Sequence, residues 1–283
     1  YEADGIIAES EKNAGALFGS GRTLYSTEGS SQCVRAMLYP ALTCRPAGAA
    51  PVIVAARNVH KAFVYAAALL DFDVVWLWPE EEGRSLCGCP ITARGLGSTL
   101  AALPEPPAAV YLTSPDYLGG MADIATLAKI CHAHGTVLAV DNAHGAYLRF
   151  LSPSRHPLDL GADLCCDSAH KTLPVLTGGA YLHIGKCAPA AMSERAKSAL
   201  ALFGSTSPSD RSMQCLDRAN PELEGLPQRL RTVAPWVAAL KDRLLERVLT
   251  RGGEEPRKLT WMTRPWGYTG TEIAEILEKK DLI

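Results

Sequence analysis

The sequence of 283 residues has no excess of either charge: Lys and Arg together number 28 and Asp and Glu 30, a net charge of -2 with histidine neutral. It therefore lacks a basic footprint for nucleic acid and a Lys/Arg-rich run for an anionic membrane. No apolar stretch reaches the ~18 residues of a membrane span before charge or proline interrupts it, and no basic-then-apolar leader opens the chain. The nine cysteines, at positions 33, 44, 87, 89, 131, 165, 166, 187 and 215, form no CxxC pair and no tight, even framework of the kind that staples small secreted domains. A reduced, cytoplasmic setting is expected. Internal repeats and low-complexity segments are absent too. What remains is a soluble chain, 47% hydrophobic and 20% charged, long enough for a large core and suited to a small-molecule ligand.

Short apolar runs recur at "PVIVAA" (51–56), "DVVWLW" (73–78), "AAVYLT" (108–113), "TVLAVD" (136–141) and "GGAYLHI" (178–184). Continuous runs of this kind suit strands buried on both faces, the pattern of a parallel sheet. Between them, 121–134 reads as a helix: Ile124, Leu127, Ala128 and Cys131 repeat at three, four and seven, with Asp123 at the end that favours negative charge. The alternation predicts an α/β domain with helices on both faces, whose ligand gathers at the carboxyl ends of the strands.

The pattern changes beyond residue 219. Val233, Val237, Leu240, Leu244 and Val248 mark one long amphipathic helix with a start or kink near Pro235. After Gly252-Gly253, "RKLTWMT" reads as a strand and "TGTEIAEILEKKDLI" as a helix begun by Thr271 with Glu272 in its first turn. The chain opens on Tyr1 rather than Met and stops within that helical pattern, so a fragment of a longer protein is expected.

Two polar clusters stand at the ends of strand-like segments. In "SAHKTLP" (168–174), Lys171 reads either as a solvated charge or as a partly buried amine; the small and apolar residues around it favour the second, and burial moves a lysine toward nucleophilic or Schiff-base chemistry. In "VDNAHGAYL" (140–148), Asp141 reads either as a helix cap or as a buried carboxylate in need of a cation. A protonated pyridine nitrogen is such a cation, and an Asp facing that nitrogen recurs with a Schiff-base lysine in pyridoxal phosphate enzymes. A phosphate would then need the backbone N–H groups of Gly29, Ser30 and Ser31 in "STEGSSQCVRAML" (26–38), with Ser168 as a second hydroxyl, although Gly-Ser turns are also plain connections. His60, in the first turn after the strand at 51–56, either stacks on a planar ring or caps a neighbour. Cys87, Cys89, His132 and His134 have atypical metal spacing, with the two histidines on different faces of one helix, so no metal site is expected. Cys165 and Cys166 read as small core residues of a strand.

Taken together and in order, "RNVHKAF", "TSPDYLGGMADIATLAKICHAHGTVLAVDNAHGAY", "GADLCCDSAHKTLPVLTGGAYLH" and "STSPS" resemble successive blocks of the ornithine/lysine/arginine decarboxylases, pyridoxal phosphate enzymes of the aspartate aminotransferase fold. The resemblance runs from about residue 9 to the end. It implies a mostly parallel, seven-stranded-type sheet sandwiched by helices over 1–218, a linking long helix over 219–253, and the beginning of a small C-terminal α+β domain over 254–283. By motif, Lys171 would be the Schiff-base lysine, Asp141 the partner of the ring nitrogen, and His60 and Ala143 the packing on the two ring faces. His144 completes the Asp-x-Ala-His motif. Gly29, Ser30, Ser31 and Ser168 would hold the phosphate with His170 beside it, and Lys171 or His170 would return a proton to Cα after decarboxylation. Thr206, in the 206–209 segment, would reach a neighbouring subunit, implying a homodimer or higher homo-oligomer.

The implied reaction converts arginine, lysine or ornithine to its amine and carbon dioxide. An aminotransferase, a carbon–sulfur lyase of the same fold, or a truncated non-catalytic homologue are the alternatives. Three positions depart from the family pattern: Asn142 stands where Glu is usual, "TGG" where a glutamine follows the threonine, and Glu28 where asparagine is common.

Overall fold

A computed structural model describes residues 5–79, 87–245 and 253–281. Its strands are β1 (Arg22–Ser26), β2 (Val52–Ala56), β3 (Asp73–Leu77), β4 (Ala109–Thr113), β5 (Leu138–Asp141), β6 (Leu164–Asp167) and β7 (Ala180–Ile184). They form one sheet in the order β1-β7-β6-β5-β4-β2-β3, parallel except for β7, which runs antiparallel to both β1 and β6. The helices are α1 (Gly5–Phe18), α2 (Ser30–Thr43), α3 (Lys61–Leu70), α4 (Ala93–Ala102), α5 (Ile124–Ala133), α6 (Ala169–Thr172), α7 (Ala190–Leu202), α8 (Asp210–Glu224), α9 (Leu226–Leu245) and α10 (Gly270–Glu278).

Strand alternation explains why the apolar runs are continuous. Ile53, Ala55, Ala109, Tyr111 and Ala139 face one core with residues of α2, α3 and α7, while Val54, Ala56, Val110, Leu112, Leu138 and Val140 face a second with residues of α4 and α5. Both faces of the central strands are therefore dry, and an unpartnered polar side chain is tolerated only at a strand end. A third cluster, built on Phe18, Tyr25, Tyr147, Tyr181 and Leu216, packs α1 and α8 near the β1–β7 edge. All nine cysteines are free thiols, and among the described residues no helix is long and apolar enough to cross a membrane.

Helix α5 starts where Asp123 caps it, accepting the Thr126 N–H at 3.2 Å, and its predicted apolar stripe is buried. Five readings differ from the structure. Strand β1 was not anticipated from "RTLYS". Helix α9 begins at Leu226, with Pro227 in the first turn where proline is favoured, and continues through Pro235; its expected stripe is turned to solvent at Val233 and Leu240, and Val248 lies outside the described residues. The expected boundary at 218/219 falls inside α8, the break coming at Gly225. Residues 257–263 form no strand beyond a single bridge at Trp261. There the buried Glu255 carboxylate captures the backbone N–H of Arg257 (2.9 Å) and that of Lys258, groups a strand would have offered to a ladder. Helix α10 is capped by Thr269 rather than Thr271, with Glu272 completing a reciprocal capping box.

Because Leu112 is 2% exposed in the central sheet, Leu112→Ala is expected to lower the unfolding free energy by about 2–5 kcal/mol. Trp236→Ala, at a side chain 77% exposed, is expected to stay within about 0.5 kcal/mol of the parent. Urea denaturation of the two variants checks both.

Candidate active site

The carboxyl ends of β1, β2, β4, β5 and β6 open into one cleft of about 640 Å³. Its wall brings together Gly29, Ser30, Ser31, His60, Asp141, Ala143, His144, Ser168, His170 and Lys171, residues drawn from four separate stretches of sequence. Thr206 does not line it; this residue is exposed on the loop between α7 and α8. Thr113, Tyr117, Arg57 and Asn58 also line the cleft and were not singled out from the sequence, as do Thr177 and Gly178 of the "TGG" departure. Arg57 and Asn58 follow β2 as His60 does, and Thr113 ends β4, so a place at the carboxyl end of a strand is the signal that could have found them.

Asp141 ends β5 and is 3% exposed. Its Oδ2 accepts the Tyr111 hydroxyl at 3.1 Å, and its Oδ1 accepts the Ala143 N–H at 3.1 Å and the Cys166 thiol at 3.6 Å. Burial, and then the adjacent Asp141, keep the Tyr111 phenol far above its ordinary range, so it remains a donor. All three donors are neutral. Among the described residues no Lys, Arg or His lies within 4 Å of the Asp141 oxygens. A carboxylate in that situation accommodates a cation presented from the cleft.

The phosphate-type end is built by the start of α2. Gly29 is its N-cap at φ 77°, ψ 174°, a conformation open to glycine and strained for other residues. Its own N–H is not free, as expected, but donates to the Gly178 carbonyl at 2.7 Å. Ser30 and Ser31, in the first helical turn, keep N–H groups that no intrahelical carbonyl can reach. A Cβ at Gly178, itself at φ 97°, would stand 2.7 Å from the Thr27 carbonyl, which accounts for "TGG" at this place: a side chain there would strike the β1–α2 loop.

Lys171 corrects the reading of its segment. It projects from the short helix α6 as an exposed side chain, because the open cleft rather than the apolar flank surrounds it. His170 Nδ1 lies 3.2 Å from the Gly179 carbonyl and 3.3 Å from Ser168 Oγ. A carbonyl only accepts, so Nδ1 carries a proton. His60 caps α3, its Nδ1 accepting the Ala62 N–H at 3.2 Å. Partial burial is the main reason that His60 titrates below its ordinary value; Asp141 opposes the shift, while Lys171 and Lys61 add to it. His144 meets the Tyr117 ring edge-on at 5.9 Å. Burial, then the charges of Lys171 and Lys258, lower its pKa from 6.5 to about 4. Cys87, Cys89, His132 and His134 do not assemble: Cys89 faces the Leu77 carbonyl, His132 pairs with Asp163 at 2.8 Å, and His134 donates to the Ile130 carbonyl at 2.9 Å.

The sequence model of the Orn/Lys/Arg decarboxylase major domain matches residues 1–243. The chain belongs to the Orn/Lys/Arg decarboxylase family. Among curated proteins it is 28% identical over 293 residues to the uncharacterized protein YaaO of Bacillus subtilis, covering 100% of this chain and 59% of that protein. It is 26% identical over 291 residues to an arginine decarboxylase of the same organism, covering 97% and 57%. The chain thus spans somewhat over half the length of these two relatives. Of solved structures, lysine decarboxylase A from Pseudomonas aeruginosa superposes with a TM-score of 0.72 at 20% identity, over 86% of this chain and 35% of that one. The L-threonine transaldolase from Pseudomonas fluorescens superposes at 0.70 with 16% identity, over 90% and 56%. At these identities the structural likeness establishes the fold, that of the major domain of pyridoxal phosphate-dependent decarboxylases.

Pyridoxal phosphate, the cofactor the fold implies, suits the donor set. Besides the cation-free Asp141 carboxylate and the α2 N-terminus, Thr113 Oγ1 and Asn58 Oδ1 are buried at the cleft wall with no protein partner.

His144 yields a prediction on pH. Because its folded-state pKa of about 4 lies below 6.5, the unfolded chain takes up a proton that the folded chain refuses between those values. Its contribution to stability is present above pH 6.5 and is lost as pH falls toward 4. The ring resonances of His144, followed by NMR, are expected to stay at their neutral positions down to about pH 5.

Proposed function

We propose that this family member is a pyridoxal phosphate-dependent decarboxylase of a basic amino acid, releasing carbon dioxide and the corresponding amine, and that it acts in the cytoplasm as a homodimer or higher homo-oligomer. The observation that carries the reading is the cleft itself, where a buried carboxylate without a cation, an exposed lysine and an unsatisfied helix N-terminus converge. When bound, pyridoxal phosphate supplies an aldehyde for an amine and a protonated ring that spreads negative charge from Cα.

Asp141 holds a proton on the ring nitrogen, and its rigid ties to Tyr111 and Ala143 keep the carboxylate aimed without reorganisation. His60 and Ala143 would pack on the two ring faces, burial of the His60 imidazole disfavouring its charged form. Ser30, Ser31 and Ser168, which line the cleft, would hold the phosphate together with the Gly29 turn, beside His170. Lys171 is the amine that anchors the cofactor, and its four-carbon stem at the cleft mouth lets it return a proton to Cα. Thr206, outside this cleft, would serve the site of a neighbouring subunit. The division into a major domain over 1–218, a link over 219–253 and the start of a small domain over 254–283 belongs to the same reading, with the first break displaced to Gly225.

Incubation of the protein with pyridoxal phosphate and each of arginine, lysine and ornithine is expected to release carbon dioxide with at least one of them. Lys171→Ala is expected to abolish both that release and the visible absorbance of the loaded protein. Unchanged absorbance and turnover in Lys171→Ala would refute the assignment.

A further inference from the structure

Immediately beside the cleft lies a group of titratable side chains that the reaction does not use. Asp167, the last residue of β6, is 0% exposed. Its Oδ2 accepts His156 Nε2 at 3.0 Å and His183 Nε2 at 3.1 Å, and its Oδ1 accepts Asn142 Nδ2 at 2.6 Å. The Cys165 thiol approaches Oδ1 at 3.8 Å. His156, His183 and Asn142 are each 0% exposed. His183 continues the chain to β1, its Nδ1 meeting Thr23 Oγ1 at 2.8 Å. Burial opposes charge on Asp167, but the two imidazoles outweigh it and hold the carboxyl well below the usual carboxylate range.

The three donor atoms of His156, Asp167 and His183 lie within 4.8 Å of one another, a spacing also found around metal ions. The hydrogen bonds decide between the two readings. His156 Nδ1 accepts the Leu158 N–H at 3.4 Å, so its proton resides on Nε2, where a metal ligand would need a lone pair. The group is a hydrogen-bonded hub.

Its position gives it a consequence. Asn142 directly follows Asp141, and Asp167 directly precedes the Ser168–Lys171 turn. Two adjacent strand ends, one carrying the carboxylate and the other the serine and the amine, are bonded through side chains within a dry interior. A carboxylate at 142 would face the Asp167 carboxylate at the 2.6 Å contact, with no solvent to screen it.

We propose that Asp167 is a positioning residue for the cofactor site: by gathering Asn142, His156 and His183 it fixes the ends of β5 and β6 and so sets the placement of Asp141 relative to Lys171. This rests on the pyridoxal phosphate reading of the cleft. The test is the set Asn142→Asp, Asp167→Asn and the double exchange. Each protein is stripped of cofactor, checked for a cooperative thermal transition, and titrated with pyridoxal phosphate for its dissociation constant. In the double exchange the amide oxygen at 167 can still accept both imidazole N–H groups while its NH2 donates to the carboxylate at 142.

The expected result is a loss of affinity of about tenfold in Asn142→Asp and about fivefold in Asp167→Asn, returning to within about threefold of the parent in the double exchange. Folded single variants with the parent's dissociation constant would overturn the proposal. So would a double exchange no tighter than the weaker single variant, or a stoichiometric metal ion in the parent that Asp167→Asn loses. A parent chain that takes up no pyridoxal phosphate at all would overturn the cofactor reading and this proposal with it.

Discussion

Asp141 is a carboxylate taken out of water and given only neutral donors. Burial of an ionised group without a counter-charge costs several kcal/mol even after the surroundings relax. The Tyr111 hydroxyl, the Ala143 N–H and the Cys166 thiol recover part of that cost. The remainder is a standing bias: the site favours any ligand that brings a positive charge to this point and disfavours one that brings a negative charge. The proposed chemistry depends on that bias, because a ring that stays protonated withdraws electrons from Cα and an unprotonated one does so weakly.

The sheet makes such a site possible. Its central strands are dry on both faces, so unpartnered polar groups are confined to the carboxyl edge, and five strand ends deliver theirs to the same cleft. Helix α2 adds its unsatisfied N-terminus where Gly29 turns the chain, at a distance from Asp141 set by the sheet rather than by the loops. Lys171 is an exposed member of the set, on the short helix α6, which suits the proposed role of anchoring a cofactor and moving a proton.

Much of this was legible in the sequence, for physical reasons. Two-sided burial writes continuous apolar runs, so β2, β4, β5 and β7 could be read directly; the edge strand β3 carries a similar run although Trp76 on it is 37% exposed. Strand β1 escaped because its five residues include more polar side chains (Arg22, Thr23 and Ser26) than apolar ones (Leu24 and Tyr25) and lie at the edge of the third core cluster. The 257–263 segment was misread because its apolar content is strand-like, whereas one buried carboxylate, Glu255, redirects its backbone. Lys171 was expected to be partly buried from its neighbours in sequence, but its surroundings are set by a cleft that Leu173, Val175 and Leu176, the apolar ones among them, do not line. The Asp167 hub carries no local signal at all: its partners lie 25, 11 and 16 residues away, at the end of β5, at the cap before a short 3-10 turn, and on β7. In retrospect Asn142, in place of the usual Glu, was its one trace, since an acid there would confront Asp167.

The central claim is that one lysine of this chain bonds to pyridoxal phosphate opposite Asp141. The most direct measurement is to load the protein with pyridoxal phosphate, reduce it with borohydride, digest it and locate the fixed cofactor by mass spectrometry. The account predicts that the modified peptide carries the added mass on Lys171. Modification confined to other lysines, or spread evenly over them, would contradict it.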